Sequence, residues 1–286
     1  MIKTMVIHSG LALPGMSSLM NYMQIATTEN TIYTSPDASK IFCYTPSIIV
    51  TPTGRLIVSF DLGGEGVKSI EGHKSSRAGG SRFGQGKIFI SDDNGQKWTF
   101  VQNFPFWHAR LFTIGNSIYL IGHAGDICIM KSEDNGESWS DTYFLTHGEK
   151  WHSSACNVLF SNGNVYLAME QRCRLNEVTG WDVAGLSPTL FRACVEDNLC
   201  LASSWSRSEK FIYKEVFDGA KLDFFGIPFY DCETNKPKEI ATGINNAPLG
   251  WLEANVVKFV DKDHIWHTDL KEVFHLFLRA HTGGVN

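Results

Sequence analysis

SDDNGQKW occupies residues 91–98 and SEDNGESW occupies 132–139. Both read S-x-D-x-G-x-x-W, and they lie 41 residues apart. Asn94-Gly95 and Asn135-Gly136 are hairpin signals, because both residue types tolerate positive φ. Asp93 and Asp134 precede the turns, where a carboxylate accepts bonds from turn amides, and Ser91 and Ser132 add a hydroxyl. Trp98 and Trp139 then open the outgoing strand and are expected to be largely buried against the hairpin. A period of about 40–45 residues is the span of one four-stranded propeller blade. Each octapeptide follows an apolar, β-rich run, KIFI or ICIMK.

Strands A to D of a blade, with A innermost, can be laid along the chain from these anchors. The first blade takes A near 46–51, B near 55–60, C near 87–91 and D near 98–103. The second takes 110–114, 118–122, 127–132 and 139–145. The third takes 154–160, 164–169, 189–195 and 201–213, with Glu196-Asp197-Asn198 in place of the octapeptide. A fourth unit has A near 254–260 and B near 273–279. Residues 31–43 are expected to add a strand ahead of the first blade. Residues 1–30 match no pattern, and 214–250 form a long insertion of the kind that lines sites.

The octapeptides resemble the Asp-boxes, or BNR repeats, of the sialidase superfamily: Ser91, Asp93, Gly95 and Trp98 in one, Ser132, Asp134, Gly136 and Trp139 in the other. YTPSIIVTPTGRLIVSFD (44–61) is similar to that superfamily's first inner hairpin. WHARLF, NGNVYLAME and GWLEANVV look like a bacterial exo-α-sialidase-like group. The resemblance covers roughly 31–286. It implies an all-β, six-bladed propeller, of which this chain holds about three and a half to four blades. The chain is therefore expected to be C-terminally short.

Composition agrees with strands and tight turns. Aromatics make up 12% of 286 residues, with 26 glycines, and hydrophobic residues 43%. A net charge of −5 without a basic run excludes nucleic acid and anionic membranes as expected partners. No apolar stretch reaches the roughly 20 residues of a transmembrane helix. The N-terminal apolar run is broken by His8, Gly10 and Pro14, unlike a secretory signal, so a cytoplasmic location is expected. Seven cysteines without a CxxC pair read as free thiols. Neither a cofactor nor a metal is expected, although His108, His123 and His152 fall on one face.

The strand scheme sorts the polar residues by face. Those before an A strand or after a B strand collect around the axis, opposite the octapeptides. Asp61 and Glu170 each end an apolar strand, and Glu253 sits in an apolar run. Emergence from a buried strand raises a carboxyl pKa and suits acid catalysis, so these three are the catalytic candidates. Tyr44, His108, Arg110, His152, Trp251, Asn255 and Arg279 are the substrate-binding candidates. Aromatic platforms with convergent acids suit a carbohydrate. Arg55 and Lys87 read as solvated.

The resemblance implies a glycan-acting protein, an exo-acting glycoside hydrolase in the first reading. Sialidases begin the first inner strand with Arg-Ile-Pro, whose arginine holds the substrate carboxylate; here the run is Tyr44-Thr45-Pro46, which argues against sialic acid. A carbohydrate-binding propeller without activity and a structural or interaction propeller are the other readings. The repeats fit all three, since they report fold alone.

Overall fold

The computed structural model describes residues 29–76, 83–152, 157–173, 183, 185–212, 215, 249–260, 263 and 274–282. The regular elements are strands, with two short 3-10 turns at Glu65–Ser69 and Ala202–Ser204. Four antiparallel sheets follow one another along the chain. The first contains β1 (Phe42–Val50), β2 (Leu56–Gly63), the short β3 (Ser75–Ser76), β4 (Phe83–Ser91) and β5 (Thr99–Phe104). Its order is β1-β2-β4-β5, with β3 on the start of β4. The second runs in order through β6 (Trp107–Ile114), β7 (Ser117–Ala124), β8 (Asp126–Ser132) and β9 (Tyr143–Phe144). The third joins β10 (Trp151–His152) and β11 (Leu159–Ser161) to β12 (Asn164–Arg172), then β13 (Leu186–Cys194) and β14 (Ser206–Arg207). The last is the pair β15 (Leu249–Lys258) and β16 (Phe274–Thr282).

Neighbouring sheets pack face to face, inner strand β1 on inner strand β6 and middle strand β12 on β15. Such stacking of small meanders is the blade arrangement of a propeller. It explains why β2 and β12 read as almost unbroken apolar runs, since a middle strand is covered on both faces. Ile57 and Ile88 meet Leu111, Ile118 and Leu120 between the first two blades. Phe112, Ile121 and Ile129 meet Val165, Leu167 and Met169 between the second and third. Among the described residues, Cys128 and Cys200 are buried free thiols, and Cys43 and Cys194 are half-buried ones.

Both octapeptides form the same hydrogen-bonded turn. The Ser91 hydroxyl donates to Asp93 Oδ1 and accepts from the Gly95 amide, both at 2.9 Å. Asp93 Oδ1 also accepts the Lys97 amide at 2.8 Å. Ser132, Asp134, Gly136 and Ser138 repeat these bonds at 2.9 Å each. Asn94 and Asn135 have φ of 58° and 61°, the left-handed geometry that the Asn-Gly pairs demand.

Several expectations need correction. Residues 31–41 contain no strand; Ile32 and Tyr33 instead lie against Val58, Phe60 and Phe89 on the outer face of the first blade. The outer strands of the second and third blades shrink to Tyr143–Phe144 and Ser206–Arg207. Trp98 and Trp139 are half-buried rather than largely buried, because they sit near the blade's rim. Residues 153–156 of the third inner strand, 1–28, and nearly all of 214–248 lie outside the described residues. None of the helices is long and apolar enough to cross a membrane, among the described residues.

Arg55 and Lys87 are not solvated. Lys87 donates to Asn103 Oδ1 at 3.0 Å and lies over the rings of Tyr33 and Phe100. The side chain of Arg55 is only 13% exposed. Its Nε and Nη2 grip Asp92 at 2.6 and 3.0 Å, while Nη1 reaches Asn135 O at 3.1 Å and Glu137 at 3.2 Å. One guanidinium thus ties the two octapeptide turns of adjacent blades together. Replacing Arg55 with Ala is expected to cost about 1–2 kcal/mol, since the exposed carboxylates rehydrate but the Asn135 carbonyl bond is lost. Arg55→Lys should recover only part of it, lacking the planar fork. Urea unfolding midpoints check this, and unchanged midpoints in both variants would contradict it.

Candidate functional site

Three inner strands open with the same distortion. The pairing register slips between Tyr44 and Ser47, between Trp107 and Arg110, and between Leu252 and Asn255. Within each slip one residue is left-handed: Thr45 (φ 50°), His108 (φ 51°) and Glu253 (φ 62°). These are β-bulges, which turn backbone amides out of the ladder and re-aim side chains. In the second blade the bulge leans over Gly122, where an added Cβ would stand 2.5 Å from Trp107 O.

The freed amides are received by the blade before. Asp61, at the end of β2, accepts the His108 amide through Oδ2. Glu170, at the end of β12, accepts the Ala254 amide through Oε1 at 2.5 Å. Both carboxylates are essentially without solvent exposure, at 0% and 1%. Burial is the chief cause that lifts the Asp61 pKa to about 8, against the opposing fields of the His108 and Ala109 amides and the Thr45 hydroxyl. Its Oδ1 is buried with no hydrogen-bond partner. A proton there relieves the charge that neither solvent nor a cation compensates.

The second blade breaks the pattern, because His123 stands where its neighbours carry acids. His123 Nε2 faces His108 Nδ1 at 3.3 Å, and the His152 ring lies 5.4 Å from that of His108. His152 Nδ1 is 2.9 Å from Glu170 Oε2. A carboxylate oxygen accepts, so this contact is a hydrogen bond when Nδ1 carries a proton. The imidazoles meet edge to face, and two of their nitrogens engage each other. No cluster of three or more His, Cys, Asp or Glu suited to a metal ion occurs among the described residues.

Glu253 differs from the other two carboxylates. Its side chain is 37% exposed and lies 3.2 Å from Arg279 Nε, itself half exposed. Tyr44, 46% exposed, pairs across the strand with Asp61, and its ring covers Gly63 beside Trp107. Asp61, His108, His123, His152, Glu170, Glu253 and Arg279 therefore form one connected set at the inner ends of the strands. Tyr44 and Arg279 are exposed, and His108 and Glu253 are half-buried.

The remaining candidates sit differently. Arg110 is 2% exposed and directs Nη1 to Ala168 O at 3.4 Å in the next blade. Half-buried Trp251 donates its indole N–H to Leu186 O at 3.1 Å. Asn255 keeps a buried Oδ1 without a hydrogen-bond partner. Sequence reading placed the acids on one face but missed the bulges that employ them. The signal was present: Tyr44-Thr45, Trp107-His108 and Trp251-Leu252-Glu253 each put an aromatic just ahead of a turned residue.

No family model matches the chain, and no curated protein matches it. Solved structures do. An α-L-arabinofuranosidase from Lactobacillus brevis is 14% identical with a TM-score of 0.50, over 88% of this chain and 71% of that one. An α-L-arabinanase from Penicillium chrysogenum is 13% identical with a TM-score of 0.41, over 63% of this chain. This chain spans 53% of that arabinanase. An ulvan lyase is 16% identical with a TM-score of 0.40, over 57% of this chain and 40% of its own. At these identities the likeness is one of fold.

Asp61 has a consequence for stability. Unfolded, its carboxyl ionises near 3.8; folded, near 8. Between those values the folded state holds a proton that the unfolded state has released, so stability falls as pH rises through the window. Asp61→Asn keeps an acceptor for the His108 amide and cannot ionise. The unfolding free energy of the parent minus that of Asp61→Asn is expected to decline steadily from about pH 4 to about pH 8. A difference independent of pH would contradict the buried, protonated carboxyl.

Proposed function

We propose that residues 31–286 belong to a sialidase-like, six-bladed propeller that binds glycan at the axial mouth and hydrolyses an exposed terminal sugar. The observation that carries this reading is the grading of three carboxyls across one face. Asp61 is neutral and fully buried, Glu170 is buried on His152, and Glu253 is partly exposed beside Arg279. Glycoside hydrolysis commonly needs a proton donor for the leaving oxygen and a second group that attacks or activates water. A carboxyl with its pKa near 8 is a donor at neutral pH.

The steps follow from these positions. A sugar ring stacking at the mouth displaces the exposed Tyr44 ring and reaches Asp61. Asp61 protonates the departing oxygen, and Glu253, 3.2 Å from Arg279, faces the anomeric carbon or its water. Glu253 takes the proton of the attacking water, and exchange with solvent restores a proton to Asp61 when the sugar leaves. Arg110 and Trp251 hold the blades in register rather than touch the glycan. With Arg279 engaged by Glu253 and no arginine at Tyr44, a neutral sugar suits the mouth better than sialic acid.

A second reading, glycan binding without turnover, is favoured by the burial of Asp61 and Glu170 on backbone amides. A panel of chromogenic glycosides that includes α-L-arabinofuranosides, β-glucosides and α-sialosides separates the two. Hydrolysis of a neutral member is expected, with Glu253→Gln lowering kcat/KM by roughly 10²–10⁴-fold. Binding of the panel without hydrolysis would select the second reading, and absence of both would defeat each.

A further inference from the structure

The two octapeptides form matching turns, yet the chain leaves them differently. After Trp98 it enters β5, which pairs with β4 from Thr99 to Phe104. After Trp139, Ser140 folds back on Lys131, its amide donating to Lys131 O at 2.8 Å and its hydroxyl accepting the Lys131 amide at 3.0 Å. Only Tyr143 and Phe144 then pair with β8. The indoles diverge as well. Trp98 donates its N–H to Gly95 O at 3.0 Å, whereas the Trp139 N–H is buried without a hydrogen-bond partner.

The missing stretch of outer strand opens a crevice of about 630 Å³ between β5 and the outer edge of the second blade. That volume falls within the roughly 300–1,000 Å³ of small-molecule sites. Cys128 and Met130 line its apolar base, Trp139 and Phe144 supply aromatic walls, and Gln102 and Asn103 bring side-chain amides. Asn103 is fixed in orientation by Lys87, which donates to its Oδ1. Neither lysine nor arginine lines the crevice.

We propose that this crevice is a second carbohydrate site, separate from the axial mouth, which takes one sugar unit of a neutral glycan. The C–H face of a sugar ring is apolar and stacks on aromatic walls, while its hydroxyls both donate and accept and so match primary amides. An anionic ligand would meet the Asp141 carboxylate there, with His73 the one ionisable base among the lining residues. The inference rests on the glycan-binding reading for its ligand class only, because none of the residues lining the crevice belongs to the axial set.

The test is a fluorescence and calorimetric titration of the full chain with arabinobiose and with cellotriose. Phe144 is 47% exposed, so Phe144→Ala should fold, and a melting curve matching the parent's verifies it. Thr142→Trp, at the mouth of the crevice, blocks entry by a second route. Each variant is expected to weaken one binding event about tenfold or more. Glu253→Gln should leave that event within about twofold while removing turnover. Parent-like affinities in both crevice variants, or no binding of either sugar outside the axial mouth, would overturn the proposal. Loss of turnover with crevice binding intact, or the reverse, distinguishes failure of one reading from failure of the other.

Discussion

A buried carboxylate that accepts a backbone amide from the next blade is the contact on which the inner half of this protein depends. Asp61 does this for the bulge at His108, and Glu170 does it for the bulge ending at Ala254. Each bulge removes an amide from its sheet, and a buried amide left unpaired costs about 1–3 kcal/mol. Supplying the acceptor from the neighbouring blade turns that liability into a bond across the blade boundary. The bulge also places a left-handed residue, His108 or Glu253, at the inner end of the strand. One device therefore joins the blades and presents the side chains of the axial mouth.

The inner ends of the strands are layered as a result. Asp61, Glu170 and Arg110 lie beneath the surface and fix backbone, while Tyr44, His108, Glu253 and Arg279 face solvent. The layers communicate through the histidines. His152 joins Glu170 to His108, and His108 joins His123. Placing His123 where adjacent blades have acids sets an imidazole, rather than a third buried acid, against His108. On the opposite end of the strands, Arg55 and the octapeptide turns hold the same blades at their outer edge. The axial end is thus chemically graded, and the turn end is mechanically tied.

Much of the architecture was legible in the sequence. Strong alternation and the Asn-Gly pairs located the inner three strands of the first two blades within a few residues, because burial on both faces leaves long apolar runs. The outer strands were less legible. Residues 139–145 and 201–213 are less apolar, and side-chain bonds such as Ser140 to Lys131 capture their backbone before a ladder forms. Arg55 could not be read either, since its partners Asp92 and Glu137 come from separate turns that only blade stacking brings together. For the site, strand ends gave the face on which Asp61, Glu170 and Glu253 lie. What was hidden was the amide that Asp61 and Glu170 each accept, because it comes from the neighbouring blade's bulge and not from local sequence.

Amide hydrogen exchange at His108 and Ala254 tests the carboxylate braces most directly. The account predicts that both amides exchange only with global unfolding, as slowly as the core amides of Leu120 and Leu167. Exchange at the rate of exposed turn amides would show that Asp61 and Glu170 do not hold the bulges, and the two-layer mouth would lose its foundation.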